Sequence, residues 1–163
     1  MNSVQFKFSS PLGAIYLSAT ERGLTDVSFV SLQMPLVKRL DRSLPAQRII
    51  DDARLQLTEY FTGRRRLFSL RLDDQQGTDF QRQVWDALSK IPFGQTLAYQ
   101  DIAKRIKNPR AVRAVGSANG KNPWCIVVPC HRVIASDGSI GGYSGGLSKK
   151  RQLLTLEGLS VKG

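Results

Sequence analysis

Histidine occurs once and cysteine twice in the 163 residues of this chain, and both scarcities narrow its chemistry. One imidazole and two thiols cannot furnish the usual Cys/His set of a structural zinc site, so neither a metal nor a cofactor is expected. Cys125 and Cys130 also exclude a disulfide-stapled scaffold, and in a reducing compartment no bond between them is expected. No apolar run approaches the roughly 20 residues that span a bilayer, so no membrane partner is expected. The opening residues, Met1 to Phe8, lack the apolar stretch of a secretory signal, which makes the cytoplasm the expected compartment. Acidic residues are few: 13 stand against 24 Lys and Arg, for a formal net charge of +11. A field of that sign favours a polyanionic partner, nucleic acid first, without separating DNA from RNA.

What is present divides the chain. Residues 1–72 have the pattern of a small α+β domain. Val4, Phe6 and Phe8 alternate, as do Ile15, Leu17 and Ala19, and Val27 and Phe29 continue the strand period. After Pro35 the pattern turns helical, with Ile49, Ala53, Leu57 and Phe61 on one face, and Phe68, Leu70 and Leu72 restore strand alternation. Arg64-Arg65-Arg66 reads as a solvated turn more readily than as a phosphate clamp. Residues 73–77 read as a linker, and 78–163 as a mostly helical C-terminal domain.

Thr78 and Gln81 have the spacing of a capping box, followed by an apolar stripe of Phe80, Val84, Leu88 and Ile91. A second helix is expected over about 99–106. Lys107 and Asn108 make the turn, with Asn108 as cap and Pro109 as first residue of a third helix through Asn119-Gly120. Two short helices about a tight turn form a helix-turn-helix pattern, and Arg110, Arg113 and Lys121 add positive charge to the second. A final helix is expected from about Ser148, closed by Gly158. The fold class is therefore α+β: a small sheet-plus-helix domain, then a mostly helical domain containing a helix-turn-helix.

The single histidine follows a cysteine directly, in Pro129-Cys130-His131-Arg132-Val133. An imidazole beside a thiol can raise its thiolate fraction, and the thiolate is the nucleophile. In a regular strand the two side chains would face opposite ways, so the pair is expected in a turn or at a helix start. The pentapeptide resembles the signature of the O6-alkylguanine-DNA alkyltransferases, also called methylated-DNA–protein-cysteine methyltransferases. The resemblance runs from Gly94 to Gly158 and takes in Tyr99, Arg113-Ala114-Val115-Gly116, Asn122-Pro123, Gly142-Tyr143-Ser144-Gly145-Gly146 and Leu156-Glu157-Gly158. The N-terminal domain resembles the family's variable α+β domain more loosely.

The resemblance implies a direct-reversal repair protein that moves an alkyl group from guanine O6 in duplex DNA irreversibly onto its own cysteine, once per molecule. Cys130 would be the nucleophile. His131 would be its base, acting through a water and oriented by Glu157. Tyr99 would donate to the guanine as negative charge develops on it. Asn122 and the backbone of Val133 match pocket and hinge contacts, and Tyr143 and Ser144 match groups around O6. Arg113 matches an arginine that fills the place of an everted base, while Ala114 and Gly116 match small residues that let a helix approach the minor groove. The implied protein is a monomer, with cooperative loading on DNA and activity on O4-alkylthymine left open.

Two departures bear on this. Metal-binding family members use cysteines and histidines in the N-terminal domain, and this chain has none there. Trp124-Cys125 replaces smaller residues, and Cys125 reads as a packing residue. Alkyltransferase-like proteins, which bind lesions without repairing them, carry tryptophan where this chain has Cys130. A non-catalytic damage-binding protein is the alternative, followed by a cysteine hydrolase and a plain helix-turn-helix regulator.

Overall fold

Short alternating segments at the start of the chain form a three-stranded antiparallel sheet in the order β1-β2-β3, comprising Val4–Ser10, Gly13–Thr20 and Gly23–Ser28. The computed structural model describes residues 3–163. Ile15, Leu17, Ala19, Leu24 and Val27 are fully buried, and helix α1 (Pro45–Phe61) packs on the sheet. Pro45 begins α1, where a missing amide proton forfeits no bond. The chain divides into two compact units between Gln76 and Gly77.

Three expectations for the first unit are corrected. The segment after Pro35 is not helical, because Gln5, buried in β1, claims its backbone. The Gln5 carbonyl accepts from Val37 N at 2.7 Å in an isolated bridge to Leu36, while Gln5 Oε1 fixes the approach to Pro35 by accepting from Leu32 N at 2.8 Å. The buried face of α1 holds Ala53 and Leu57 as expected, but Ile50 and Tyr60 take the outer places in the stripe that Ile49 and Phe61 were expected to fill. Asp51 shares that face, its carboxylate held by Arg42 at 2.7 Å and Arg54 at 2.8 Å. Finally, residues 68–72 form no strand beyond a single bridge of Leu72 to Leu24. Gln56 of α1 takes both backbone groups of Ser69, accepting from N at 2.9 Å and donating to O at 3.1 Å. In the triple-arginine turn, Arg65 pairs with Glu59 at 3.0 Å and donates to Leu67 O at 2.8 Å, as suits a solvated turn.

One carboxyl in the sheet is placed against its own charge. Burial pushes Asp26 up from 3.8 to about 6, with a Thr25 hydrogen bond opposing. The folded form therefore holds its proton longer than the unfolded chain, and stability falls as pH rises from 3.8 to about 6. Asp26→Asn should flatten that stretch of the stability profile and raise the melting temperature at pH near 7; thermal scans of both proteins across the window check it.

The second unit begins with α2 (Asp79–Ser89), whose capping box is formed as expected: Thr78 Oγ1 accepts from Gln81 N at 3.1 Å and Gln81 Oε1 from Thr78 N at 2.9 Å. Val84, Leu88 and Ile91 are buried, and Trp85 donates to Ala118 O at 2.9 Å while meeting Trp124 edge-on. Helices α3 (Tyr99–Arg105) and α4 (Val112–Gly120) pack on α2 and on each other.

Asn108 does not cap α4. Lys107 takes φ 61°, and α3 closes in a Schellman motif, with Lys107 N donating to Lys104 O at 3.0 Å and Asn108 N to Ala103 O at 2.9 Å. Asn108 is thereby spent on ending α3, and α4 starts after Ala111, leaving Pro109 and Arg110 in the connection and Lys121 just past the helix. Two-residue strands β4 (Leu97–Ala98) and β5 (Val133–Ile134) pair in parallel, and α5 (Leu147–Leu156) completes the unit.

Candidate active site

Between α4 and Cys130 the chain makes two tight turns under the control of one amide side chain. Asn122 Oδ1 accepts from Trp124 N at 3.0 Å, and Nδ2 donates to Val128 O at 2.8 Å. Inside that clamp Ile126 takes φ 73°, with Val127 N bonded to Cys125 O at 2.8 Å. This is a γ-turn in its strained form, and a β-branched residue there stores roughly 1–3 kcal/mol. Pro129, at φ −81° and ψ 65°, then makes the relaxed inverse turn, with Cys130 N on Val128 O at 2.8 Å. Cys130 to Arg132 form one turn of 3-10 helix, so the expected turn is present and adjacent side chains diverge.

His131 is fully buried, with Nε2 at 2.7 Å from Glu157 Oε2. An ionised carboxylate only accepts, so this bond assigns the proton to Nε2 and leaves Nδ1 as the basic nitrogen. Nδ1 is buried and has no hydrogen-bond partner among the described residues. Burial lowers the His131 pKa, with the Glu157 bond and charge opposing, so the ring is held neutral. Glu157 sits just past α5 and accepts two further bonds from Arg132, at 2.8 Å from Nε and 3.0 Å from Nη2. Arg132 also donates to Ile91 O at 2.7 Å, which ties the site to the end of α2. The bidentate pair balances the charge of Glu157, so His131 need not become cationic to satisfy it.

Cys130 is also buried. The neighbouring Cys125, burial and the charge that Cys125 would carry all push its thiol well up, while Asn122 and Lys150 pull the other way. A resting thiol is the result, and it needs a base. Lys150 lies fully buried in α5, donating to Val133 O at 2.6 Å and Gly142 O at 2.8 Å. Burial lowers its pKa to about 8, against the attraction of Cys130. A lysine here therefore keeps most of its charge near pH 7 and supplies the positive field that a thiolate at Cys130 would need.

The β4–β5 pairing brings the start of α3 beside the cysteine turn. Tyr99 is half-buried; burial raises its pKa, a backbone interaction with Gly142 opposes, and the charge of Cys130 raises it further. Its hydroxyl fits against Gly141, where an added Cβ would lie 3.1 Å from it at φ +71°. Ser144 Oγ is 4.0 Å from Cys125 Sγ, and Tyr143 adjoins the same thiol. Val133 is buried, its carbonyl already accepting Lys150. Thus Cys130, His131, Glu157, Asn122, Tyr99, Val133, Tyr143 and Ser144 meet in one site. Arg113 and Ala114 lie apart, on the exposed face of α4, with Gly116 half-buried and facing the Tyr99 ring, which a Cβ added there would meet at 3.9 Å. Asn119, on the inner face of α4, approaches the Cys130 carbonyl at 3.5 Å through Nδ2 and so links the two regions.

Arg132, Lys150 and Asn119 were not singled out from the sequence. Arg132 carried a signal, being a charged residue inside the Cys-His motif; Lys150 and Asn119 carried none, since only their burial distinguishes them.

An α+β chain with a buried thiol, a carboxylate-held imidazole and an adjoining helix pair is a cysteine-centred protein built beside a nucleic-acid-binding motif. Residues 79–159 match the DNA-binding domain of 6-O-methylguanine DNA methyltransferase, and residues 6–73 match its ribonuclease-like domain. The methylated-DNA–protein-cysteine methyltransferase of Methanosarcina acetivorans is 44% identical over 155 residues, covering 93% of this chain and 96% of that one. The inducible protein of that name from Bacillus subtilis is 41% identical, with 87% and 83% covered. A crystal structure of Mycobacterium tuberculosis OGT in complex with DNA is similar at TM-score 0.82 and 40% identity, covering 94% of this chain and 92% of that one. The chain belongs to the 6-O-methylguanine DNA methyltransferase family and is a DNA-binding methyltransferase of DNA repair.

Proposed function

We propose that this protein removes the alkyl group from O6-alkylguanine in duplex DNA by a single, irreversible transfer to Cys130. The observation that carries the reading is the relay of Glu157 and His131, with Nδ1 basic, buried and one residue from the thiol. A water between Nδ1 and Sγ passes the Cys130 proton to His131. The thiolate attacks the alkyl carbon, an S–C bond forms, the C–O6 bond breaks, and its electrons return to the guanine ring. Tyr99 donates a hydrogen bond to the ring edge as that charge develops, while Lys150 offsets the charge on sulfur before attack. Ser144, Tyr143 and the Val133 backbone hold the base. The thioether has no leaving group to regenerate the thiol, so one molecule repairs one lesion. Residues 78–163 carry both chemistry and DNA binding, and the protein acts as a monomer where the genome is, in the cytoplasm.

Because O6 lies inside the duplex, the base must leave the stack, at a cost of a few kcal/mol. Arg113 on the exposed face of α4 fills the vacated place, with Ala114 and Gly116 allowing that face close to the minor groove. Arg113→Ala should leave the melting temperature unchanged and slow transfer from duplex about 100-fold, the loss of roughly 3 kcal/mol of flipping energy. Transfer from a single-stranded oligonucleotide should fall far less. Equal losses on the two substrates in single-turnover assays would remove the arginine from that role.

The reading itself is tested by intact-protein mass spectrometry after incubation with a duplex containing O6-methylguanine, followed by peptide mapping. One methyl group per molecule, on Cys130, is expected. Tight lesion binding with unchanged mass would leave a damage-binding protein instead.

A further inference from the structure

Cys125 is a second buried thiol at the reaction centre to which alkyl transfer assigns no task. Its placement is built rather than incidental. The left-handed turn at Ile126, the Asn122 clamp and the inverse turn at Pro129 fold residues 124–130 back on themselves, so that Cys125 and Cys130, both buried, stand as neighbours at the two ends of one tight fold of chain. Its other polar neighbours, Ser144 and Tyr143, come from the glycine loop that closes over the same space. Two neighbouring buried thiols, one of them next in sequence to the carboxylate-held imidazole of His131, make the arrangement of a reactive cysteine with a partner that can resolve it.

We propose that Cys125 is a resolving thiol, which converts peroxide-oxidised Cys130 into a reducible Cys125–Cys130 disulfide. The inference rests on Cys130 being the reactive thiol of the site. In the first step Cys130 Sγ attacks hydrogen peroxide: an S–O bond forms, the O–O bond breaks, and one water leaves, giving the sulfenic acid. In the second, Cys125 Sγ attacks the sulfenic sulfur. The S–S bond forms, the S–O bond breaks, and the departing hydroxide takes the Cys125 proton as a second water. Peroxide is thereby reduced by two electrons and the two thiols are oxidised by the same number.

The difference for a single-use acceptor is large. Sulfinic and sulfonic acids at Cys130 would be permanent and would destroy a molecule that has repaired nothing, whereas a disulfide returns to two thiols by exchange with a small thiol. The ring closed by Cys125 and Cys130 is short and contains both the strained Ile126 turn and Pro129. A disulfide confined in this way is readily reduced, which suits a reversible guard better than a structural staple. Peroxide is far smaller than the base that the site admits, so burial of the thiols does not bar it.

The full chain is treated with hydrogen peroxide, blocked with iodoacetamide, and examined by intact mass and peptide mapping before and after dithiothreitol. Expected is loss of two hydrogens, a Cys125–Cys130 link, and loss of methyl transfer that dithiothreitol restores fully. Cys125→Ala and Cys125→Ser should instead gain oxygens on Cys130 that dithiothreitol does not remove. Wild-type protein that gains two or three oxygens on Cys130 without forming the link overturns the proposal, and that arm needs no variant to fold. A protein that forms the link yet takes no methyl from O6-methylguanine supports the resolving role while sinking the transfer reading. One that takes the methyl but never forms the link does the reverse.

Discussion

Cys130→Ala will bind a duplex containing O6-methylguanine and leave its own mass unchanged, with alkyl transfer lost entirely. Displacing an oxygen leaving group from carbon needs the polarisability of a thiolate, no base or hydrogen-bond donor substitutes for it, and Cys130 is the thiol that the His131 relay serves. The fold should survive, because alanine removes a single sulfur from a buried position and large-to-small changes of that size cost about 1 kcal/mol. Binding should survive as well, since the exposed face of α4 with Arg113 and Ala114 is built without the thiol. Loss of transfer with retained affinity separates this protein from a helix-turn-helix regulator, which would ignore the substitution. Methyl appearing on Cys125 of the variant would move the nucleophile to the second thiol and overturn the assignment.

Glu157→Gln should be the most damaging conservative substitution in the chain. The amide is nearly the size of the carboxylate, but it leaves the buried Arg132 guanidinium without a counter-charge and deprives His131 of the group that fixes its tautomer. Removing one member of a buried pair costs about 3–5 kcal/mol, read as a fall in urea midpoint. Loss of an oriented base should lower the transfer rate by a further 100-fold or more, within the range of general-base effects. The double variant Glu157→Gln, Arg132→Met tells the two apart: removing the stranded charge should recover much of the stability and none of the rate. Recovery of both would make Glu157 a purely structural counter-ion. In the wild type, burial keeps His131 neutral below its ordinary value of 6.5, so transfer should stay level as pH falls to 6.5 and decline only beneath it. A decline beginning above 6.5 in single-turnover assays would show that another group governs the rate.

Features set by neighbours in sequence were legible, and features set by partners far along the chain were not. The capping box at Thr78 and Gln81 needs only residues three apart, so its spacing carried the structure. Asn108 has equal credentials as a cap, yet the left-handed Lys107 uses its amide to finish the preceding helix, and lysine gives no hint of that conformation. In α1, Ala53 and Leu57 were read correctly, but an inward Asp51, neutralised by Arg42 and Arg54, could not be foreseen from the apolar pattern. Strands β4 and β5 are two residues each, too short for any periodicity, although they bring Tyr99 beside the cysteine turn. At the site, Cys130 and His131 announced themselves as neighbours. Glu157, 26 residues from its imidazole, was reached only through the family resemblance, since a carboxylate near a helix C-terminus reads as solvated. Lys150 stands among Lys149 and Arg151 with nothing to mark it, and only its two carbonyl partners single it out.

The carboxylate's position just past α5 also orders events during synthesis. A ribosome that has delivered everything through Arg132 has made the thiol, the imidazole and the guanidinium, but not the oxygens that hold two of them. The nascent thiol therefore spends the intervening translation time without its oriented base. Chains stalled or cleaved anywhere before Glu157 should transfer alkyl groups at least as slowly as Glu157→Gln.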